Sequence, residues 1–180
     1  MLNAQIKEGL KERARKIKLL LLDVDGVLTD GRIVYDSQGR DMKFFDVHDG
    51  LGVYALKRAG IKTILITAKG SRAIRPRALD MQVEQVFENI SPKTAALEKI
   101  VKKYKVNLDE VCFMGDDLVD LCLMKRVGFP VAVFNAAVEI KLAAAYITLR
   151  EGGRGAVREI AELILKSQNK WSEILGFYDT

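Results

Sequence analysis

The sequence predicts an α/β fold, a Rossmann-like doubly wound parallel sheet with a β-hairpin inserted after the first strand and no large cap domain. Three observations carry this reading. Short apolar runs alternate with segments of helical apolar spacing, the pattern of a parallel sheet covered by helices. One stretch interrupts that alternation with hairpin chemistry. The chain is 180 residues long, 49% hydrophobic and 29% charged, which suits one domain of roughly 100–200 residues with its own core.

Taken in order, a charged amphipathic first helix precedes an apolar strand at 17–22. Further strands are expected at 62–67, 84–87, 111–114, 131–134 and 146–149. Between them, 51–59, 71–79, 93–104, 118–126 and 138–144 repeat apolar residues at helical intervals, and 154–166 forms a closing helix. Pro76 should kink or shorten the second of these. The interruption lies at 31–46, where RIVYDSQGRDMKFF has two β-prone arms around Asp-Ser-Gln-Gly, with Gly39 free to take positive φ. Such a hairpin projects from the carboxyl edge of the sheet, where open α/β folds bind ligands, and is too small to be a lid domain. No linker or repeat divides residues 1–180.

Composition excludes several classes. With 14 Gly and 3 Pro the chain is neither collagen-like nor of low complexity, and no apolar run approaches the roughly 20 residues of a spanning helix. The net charge of +5 has a local origin. Through Lys18, six bases (Lys7, Lys11, Arg13, Arg15, Lys16, Lys18) stand against Glu8 and Glu12, leaving 23 bases and 22 acids elsewhere. Without interleaved aromatics to stack on bases, this reads as a solvated helix face, and no nucleic-acid partner is expected. Cys112 and Cys122 make no metal-ligand spacing and precede no phosphate-cradling loop closed by Arg, so buried, reduced thiols are expected. No short apolar leader with a cleavage site opens the chain, and a cytoplasmic protein is expected.

The strongest chemical signal is Asp23-Val-Asp25-Gly26-Val-Leu-Thr29-Asp30, directly after the first apolar strand. Aspartates are poor strand residues, so this pair sits at a strand end, where alternation and the Gly26 turn aim both toward one cleft. Adjacent carboxylates divide labour, one as nucleophile or metal ligand and the other as acid/base. A second apolar strand ends in Gly115-Asp116-Asp117, with Asp120 four residues after Asp116. Carboxylates from two strand ends need a cation, and hard oxygen ligands without His or Cys select Mg²⁺. Asp117 could equally be a first-turn acid. Thr67, ending a strand, and Lys93, starting a helix, bring a hydroxyl and an ammonium to the same edge, where they can hold a phosphoryl group.

In this order, Asp23-x-Asp25, Thr67, Lys93 and Gly115-Asp116-Asp117-x-x-Asp120 resemble the four motifs of the haloacid-dehalogenase-like phosphatases. The hairpin, Asp46-Val-His48-Asp49-Gly50-Leu-Gly52 and Gly152-Gly153-Arg154-Gly155 are similar to the capless branch, which acts on sugar-acid phosphates such as 3-deoxy-D-manno-octulosonate 8-phosphate. The resemblance covers 17–166.

It implies that Asp23 forms an aspartyl-phosphate and binds Mg²⁺, and that Asp25 is the acid/base, with its carbonyl on the metal. Asp116 would be the second carboxylate ligand, with Asp117 and Asp120 orienting metal waters and Lys93. Substrate contacts would fall on Asp46, His48, Asp49, Gly50, Tyr54, Lys69, Arg77 and Lys93. His48 would line the sugar pocket rather than act as a base, and Tyr54 is as compatible with packing as with binding. Ala68-Lys69 stands where Gly-Arg is common, which keeps the charge but loses the bidentate fork. Arg154 is open between a carboxylate contact and a helix-start residue. The resemblance further implies a homotetramer, with the hairpin and the apolar tail at 171–180 contributing to a neighbouring active site, and a place in lipopolysaccharide core sugar biosynthesis. The alternatives are the same chemistry on a nine-carbon, sialic-type 9-phosphate, or a non-catalytic oligomerisation module of the same fold.

Overall fold

The four consecutive leucines of Leu19–Leu22 are each wholly buried, as expected of a parallel strand covered on both faces. Around this strand the chain runs α1 (Leu2–Lys16), β1 (Leu19–Leu22), β2 (Val34–Tyr35), β3 (Asp41–Met42), α2 (Val47–Arg58), β4 (Lys62–Ile66), α3 (Ile74–Asp80) and β5 (Gln85–Phe87). It continues through α4 (Thr94–Tyr104), β6 (Val111–Gly115), α5 (Leu121–Met124), β7 (Phe129–Ala132), α6 (Val138–Ala143), β8 (Tyr146–Ile147), α7 (Ala156–Ser167) and α8 (Trp171–Gly176). The structure, a computed structural model, describes residues 2–179, with side chains from Glu8 onward. The Lys7 side chain of the basic helix and Thr180 of the expected tail lie outside the described residues.

The main sheet has the order β5-β4-β1-β6-β7-β8, and every pairing in it is parallel. The chain builds outward from β1 to β5, crosses back, and builds outward again from β6 to β8. Right-handed crossovers therefore place α2 and α3 on one face and α4, α5 and α6 on the other. α7 closes the first face against α1 and α2. Its buried Ala156, Val157, Ile160, Ala161, Ile164 and Leu165 form a single helical stripe. At Gly52 on α2 a Cβ would lie 2.9 Å from the Arg158 Cα, so glycine is what lets these two helices approach. The direction of building reverses between β1 and β6, and the crevice outside their carboxyl ends is where such sheets bind ligands.

The expected hairpin is present and short. Val34 pairs with Met42 and Tyr35 with Asp41, and the Asp36 carboxylate accepts from the amides of Gln38 and Arg40 to hold the turn. Among the described residues no cap domain accompanies it.

Several boundaries differ from the sequence reading: α2 starts at Val47 rather than 51, β1 starts at Leu19 rather than 17 and β8 ends at Ile147 rather than 149. The helix expected over 71–79 is shortened, as Pro76 anticipates, to the 7 residues of α3, with Pro76 in its first turn, where its missing N–H costs no helical bond. The segment expected as one helix from 118 to 126 divides into a 3-10 turn, Leu118–Asp120, and α5. The strand expected from Val131 begins at Phe129 and contains Pro130. The Pro130 carbonyl accepts from Ala145, just before pairing with β8 starts, so its lack of an N–H on that same side breaks no ladder bond.

The tail folds back on its own chain. Trp171 stacks under Arg158 and Lys166, Ile174 is buried, Lys170 donates to the Ala59 carbonyl, and Phe177 lies under the Arg58 guanidinium. These contacts place α8 by the C-terminal end of α2, at the opposite end of that helix from the crevice.

Candidate active site

The ladder of β1 extends one residue beyond the leucines, because Asp23 N–H donates to the Met114 carbonyl on β6. The chain then turns sharply. Gly26 takes φ +90, and the Thr29 hydroxyl accepts from the amides of Gly26 and Gly31. A Cβ on Gly26 would sit 1.9 Å from an Asp116 oxygen. Glycine is thus required for the two strand-end loops to interlock and bring Asp116 beside Asp23.

Lys93, one residue before α4, is 2% exposed. Its Nζ lies 2.5 Å from Asp23 Oδ1 and 2.6 Å from Asp120 Oδ1. Asp120 is fully buried, and its other oxygen accepts from the Asp116 amide at 2.9 Å. Oxygens of Asp23, Asp116 and Asp120 all lie within 4.8 Å of one another. With both Asp120 oxygens already bonded to protein donors, Asp23 and Asp116 are the carboxylates best placed to hold a cation, and Asp120 orients Lys93 and the Asp116 loop. Thr67 immediately follows β4, the neighbour of β1, and is 2% exposed. Asp117 caps the following 3-10 turn by accepting from the Leu118 amide, the role of a first-turn acid.

Three carboxylates share one ammonium, which leaves the cluster short of positive charge. Burial first, then the charge of Asp120, raises the Asp23 carboxyl to about 7 against the pull of Lys93. Burial and the charges of Asp23, Asp120 and Asp117 raise Asp116 to about 8. Burial would lower the Lys93 ammonium, but Asp23 and Asp120 together raise it. A carboxyl raised above its unfolded value of 3.8 binds a proton that the unfolded chain has released. Its contribution is therefore present at low pH and lost as pH climbs through the folded values. The metal-free protein should melt at a lower temperature at pH 8.5 than at pH 5.5, as thermal unfolding at the two pH values will show.

The residues expected to touch substrate are distributed unevenly. Lys69 lines a cavity of about 750 Å³ between the hairpin and the β4–α3 loop, together with Tyr35, Arg72, Arg75 and Asn89. Arg77 donates from Nη2 to the Asp46 carbonyl at 2.7 Å, and its guanidinium fills the space that a Cβ on Gly50 would occupy. Asp46 caps α2 by accepting from the His48 amide.

Asp49 is 1% exposed and accepts from the amides of Gly155 and Arg158, so it satisfies the start of α7 instead of facing the cleft. Burial raises its carboxyl to about 6. His48 pairs with Asp46 and lines a different cavity, of about 510 Å³, with Arg150 and Arg158. Tyr54 is half-buried on α2, about 12 Å along the helix from its Asp46 cap by the helical rise. Arg154 pairs with Asp30 at 3.4 Å, and the Gly152-Gly153 turn before it packs on the Gly26 and Thr29 backbone.

Several groups escape the sequence reading. Lys43, on the hairpin, forms an ion pair with Asp25. Arg40, Arg72 and Arg75 add cations to the larger cavity. Strand alternation was the available signal for Lys43, since Asp41 and Lys43 share one face of the hairpin and Met42 and Phe44 the other.

Comparison with known proteins agrees with this geometry. A family model described as haloacid dehalogenase-like hydrolase matches residues 80–160. The 3-deoxy-D-manno-octulosonate 8-phosphate phosphatase KdsC of Yersinia pestis is 36% identical over 171 residues, covering 95% of this chain and 91% of the relative. The crystal structure of the Moraxella catarrhalis phosphatase of that name, in complex with a magnesium ion, a phosphate ion and KDO, superposes with TM-score 0.91 at 38% identity, covering 94% of this chain and 97% of the other. The cobalt-bound Haemophilus influenzae phosphatase superposes with TM-score 0.88 at 34% identity, covering 92% and 99%. The carboxylates at two adjacent strand ends, the lysine between them and a likeness over nearly the whole length lead to one assignment: the chain belongs to the haloacid dehalogenase-like hydrolases, in the group of the 3-deoxy-D-manno-octulosonate 8-phosphate phosphatases.

Proposed function

We propose that the chain is a Mg²⁺-dependent phosphatase that hydrolyses 3-deoxy-D-manno-octulosonate 8-phosphate to the free sugar acid and phosphate. The observation that carries this is the buried Lys93 bridging Asp23 and Asp120 beside Asp116, an anionic pocket poised for a cation and a phosphoryl group. Asp23 attacks phosphorus and forms an aspartyl-phosphate as the bond to the sugar oxygen breaks. Asp25 gives that oxygen a proton, then takes one from the water that attacks the intermediate. Thr67 and Lys93 hold the phosphoryl oxygens. The donor set, carboxylates without His or Cys within 4.8 Å of one another, suits Mg²⁺. Held by Asp23, Asp116 and the Asp25 carbonyl, Mg²⁺ would offset the repulsion between the anionic nucleophile and the anionic ester. Lys69 and Arg77 are the candidate cations for the sugar acid, with Arg72 added by the larger cavity.

In this reading residues 1–180 act as one hydrolase domain in the cytoplasm, supplying a lipopolysaccharide core sugar. Assembly into a homotetramer through the hairpins is supported by Ile33, Tyr35 and Phe44, which are 69%, 57% and 62% exposed. The tail at 171–180 would contribute to a neighbouring active site beside the hairpin, a reading supported by Leu175 and Tyr178, which are 48% and 51% exposed. Side-by-side turnover tests the substrate: kcat/KM for the eight-carbon 8-phosphate should exceed that for a nine-carbon 9-phosphate by at least about tenfold. Preference for the nine-carbon acid, or weak turnover spread over many small esters, would reject it.

A further inference from the structure

The hairpin turns its apolar side chains outward and one cation inward. Met42 and Phe44 are exposed, whereas the Lys43 side chain is 9% exposed and pairs with Asp25 Oδ1. Two carboxylates of the cluster are oriented from the main sheet and its helices, Asp23 by Lys93, and Asp120 by Lys93 and the Asp116 amide. Asp25 differs. Among the described residues, Lys43 is the one donor to its side chain, and that side chain is 38% exposed. An ion pair between two fully exposed side chains is held weakly, but here the Lys43 partner is drawn out of solvent, at 9% exposure, which strengthens its hold on Asp25.

We propose that Lys43 is a positioning residue for the phosphatase reaction, holding the Asp25 carboxylate in one orientation at the mouth of the cleft. The seating of the hairpin is thereby a condition for catalysis within its own chain. The proposal rests on the phosphatase reading for its kinetic consequence only. Asp25 passes its proton to the ester oxygen as the P–O bond breaks and regains one from water, and Lys43 takes no part in that exchange.

The test uses the full chain with Mg²⁺ and two esters. The sugar 8-phosphate has an alkoxide leaving group that needs a proton, and para-nitrophenyl phosphate releases a phenolate that does not. Lys43→Met should lower kcat on the sugar phosphate by about 10–100-fold, with KM within about threefold of wild type, an unchanged melting temperature and a smaller loss on the aryl ester. Lys43→Arg should restore most of the rate. Added to Asp25→Asn, Lys43→Met should cost nothing more in the residual aryl-phosphatase rate.

A rise in KM at constant kcat, an undiminished loss in the Asp25→Asn background, or equal losses on both esters with a lowered melting temperature would overturn the proposal. Hydrogen exchange reads the same tie without turnover: Lys43→Met and Asp25→Asn should each speed exchange of the Val34 and Met42 amides. If neither does, the proposal falls even with a fully active enzyme. If wild type hydrolyses neither ester yet both variants loosen the hairpin, the tie stands and the phosphatase reading is what fails.

Discussion

Asp23→Asn should reduce kcat for phosphate release by at least about 10³-fold, the scale seen when a covalent nucleophile is removed. The substitution keeps the shape of the side chain and removes only the nucleophilic charge, so the backbone bond from Asp23 to Met114 is unaffected. Lys93 retains Asp120 as a partner at 2.6 Å, and burial already disfavours the Asp23 charge. The variant should therefore melt no lower than wild type in the absence of metal. Steady-state turnover, a melt, and mass spectrometry for the phosphorylated chain check this together. The assignment of the nucleophile is lost if variant and wild type prove equally active or equally inactive. Equal inactivity would favour the alternative of a non-catalytic module.

Lys93→Met carries the second large effect, and it touches stability as well as rate. The ammonium is 2% exposed and sits between two carboxylates that are 5% and 0% exposed. Removing it leaves buried negative charge uncompensated, a change that costs about 3–5 kcal/mol in comparable settings. The loss should be larger at pH 8.5, above the raised values of about 7 for Asp23 and about 8 for Asp116, and smaller near pH 5.5, where these carboxyls hold protons. Urea unfolding at the two pH values measures the difference, and kcat should fall by at least about 10²-fold from the loss of a preorganised charge. A variant equally stable at both pH values and still active would mean that Lys93 is only a buried structural cation.

Much of the fold was legible because its cues are local. The all-leucine β1, the turn residues Ser37 to Gly39 and the apolar stripe of α7 each report their surroundings within a few residues. Boundaries slipped where a local rule met a tertiary exception. Pro130 looks like a strand breaker until the side its missing N–H faces is known, and the 118–126 segment looks helical until Asp120 is pulled inward to Lys93 and the Asp116 amide.

The chemical set is written in local pattern: aspartates at two apolar strand ends, glycines that turn the chain beside them, and a threonine and a lysine delivered to the same edge. A strand end dictates where its next residue points, so these groups converge once the strands lie parallel and adjacent. The partnerships among these groups come from the folded chain. Asp49 reads as a cleft residue beside His48, yet it serves the start of a helix 106 residues away. Lys43 reads as one more surface base, yet it reaches the carboxylate of Asp25, 18 residues earlier. Such pairings depend on how a helix or a hairpin docks, and docking is set by the summed burial of whole faces, which no short window of sequence records.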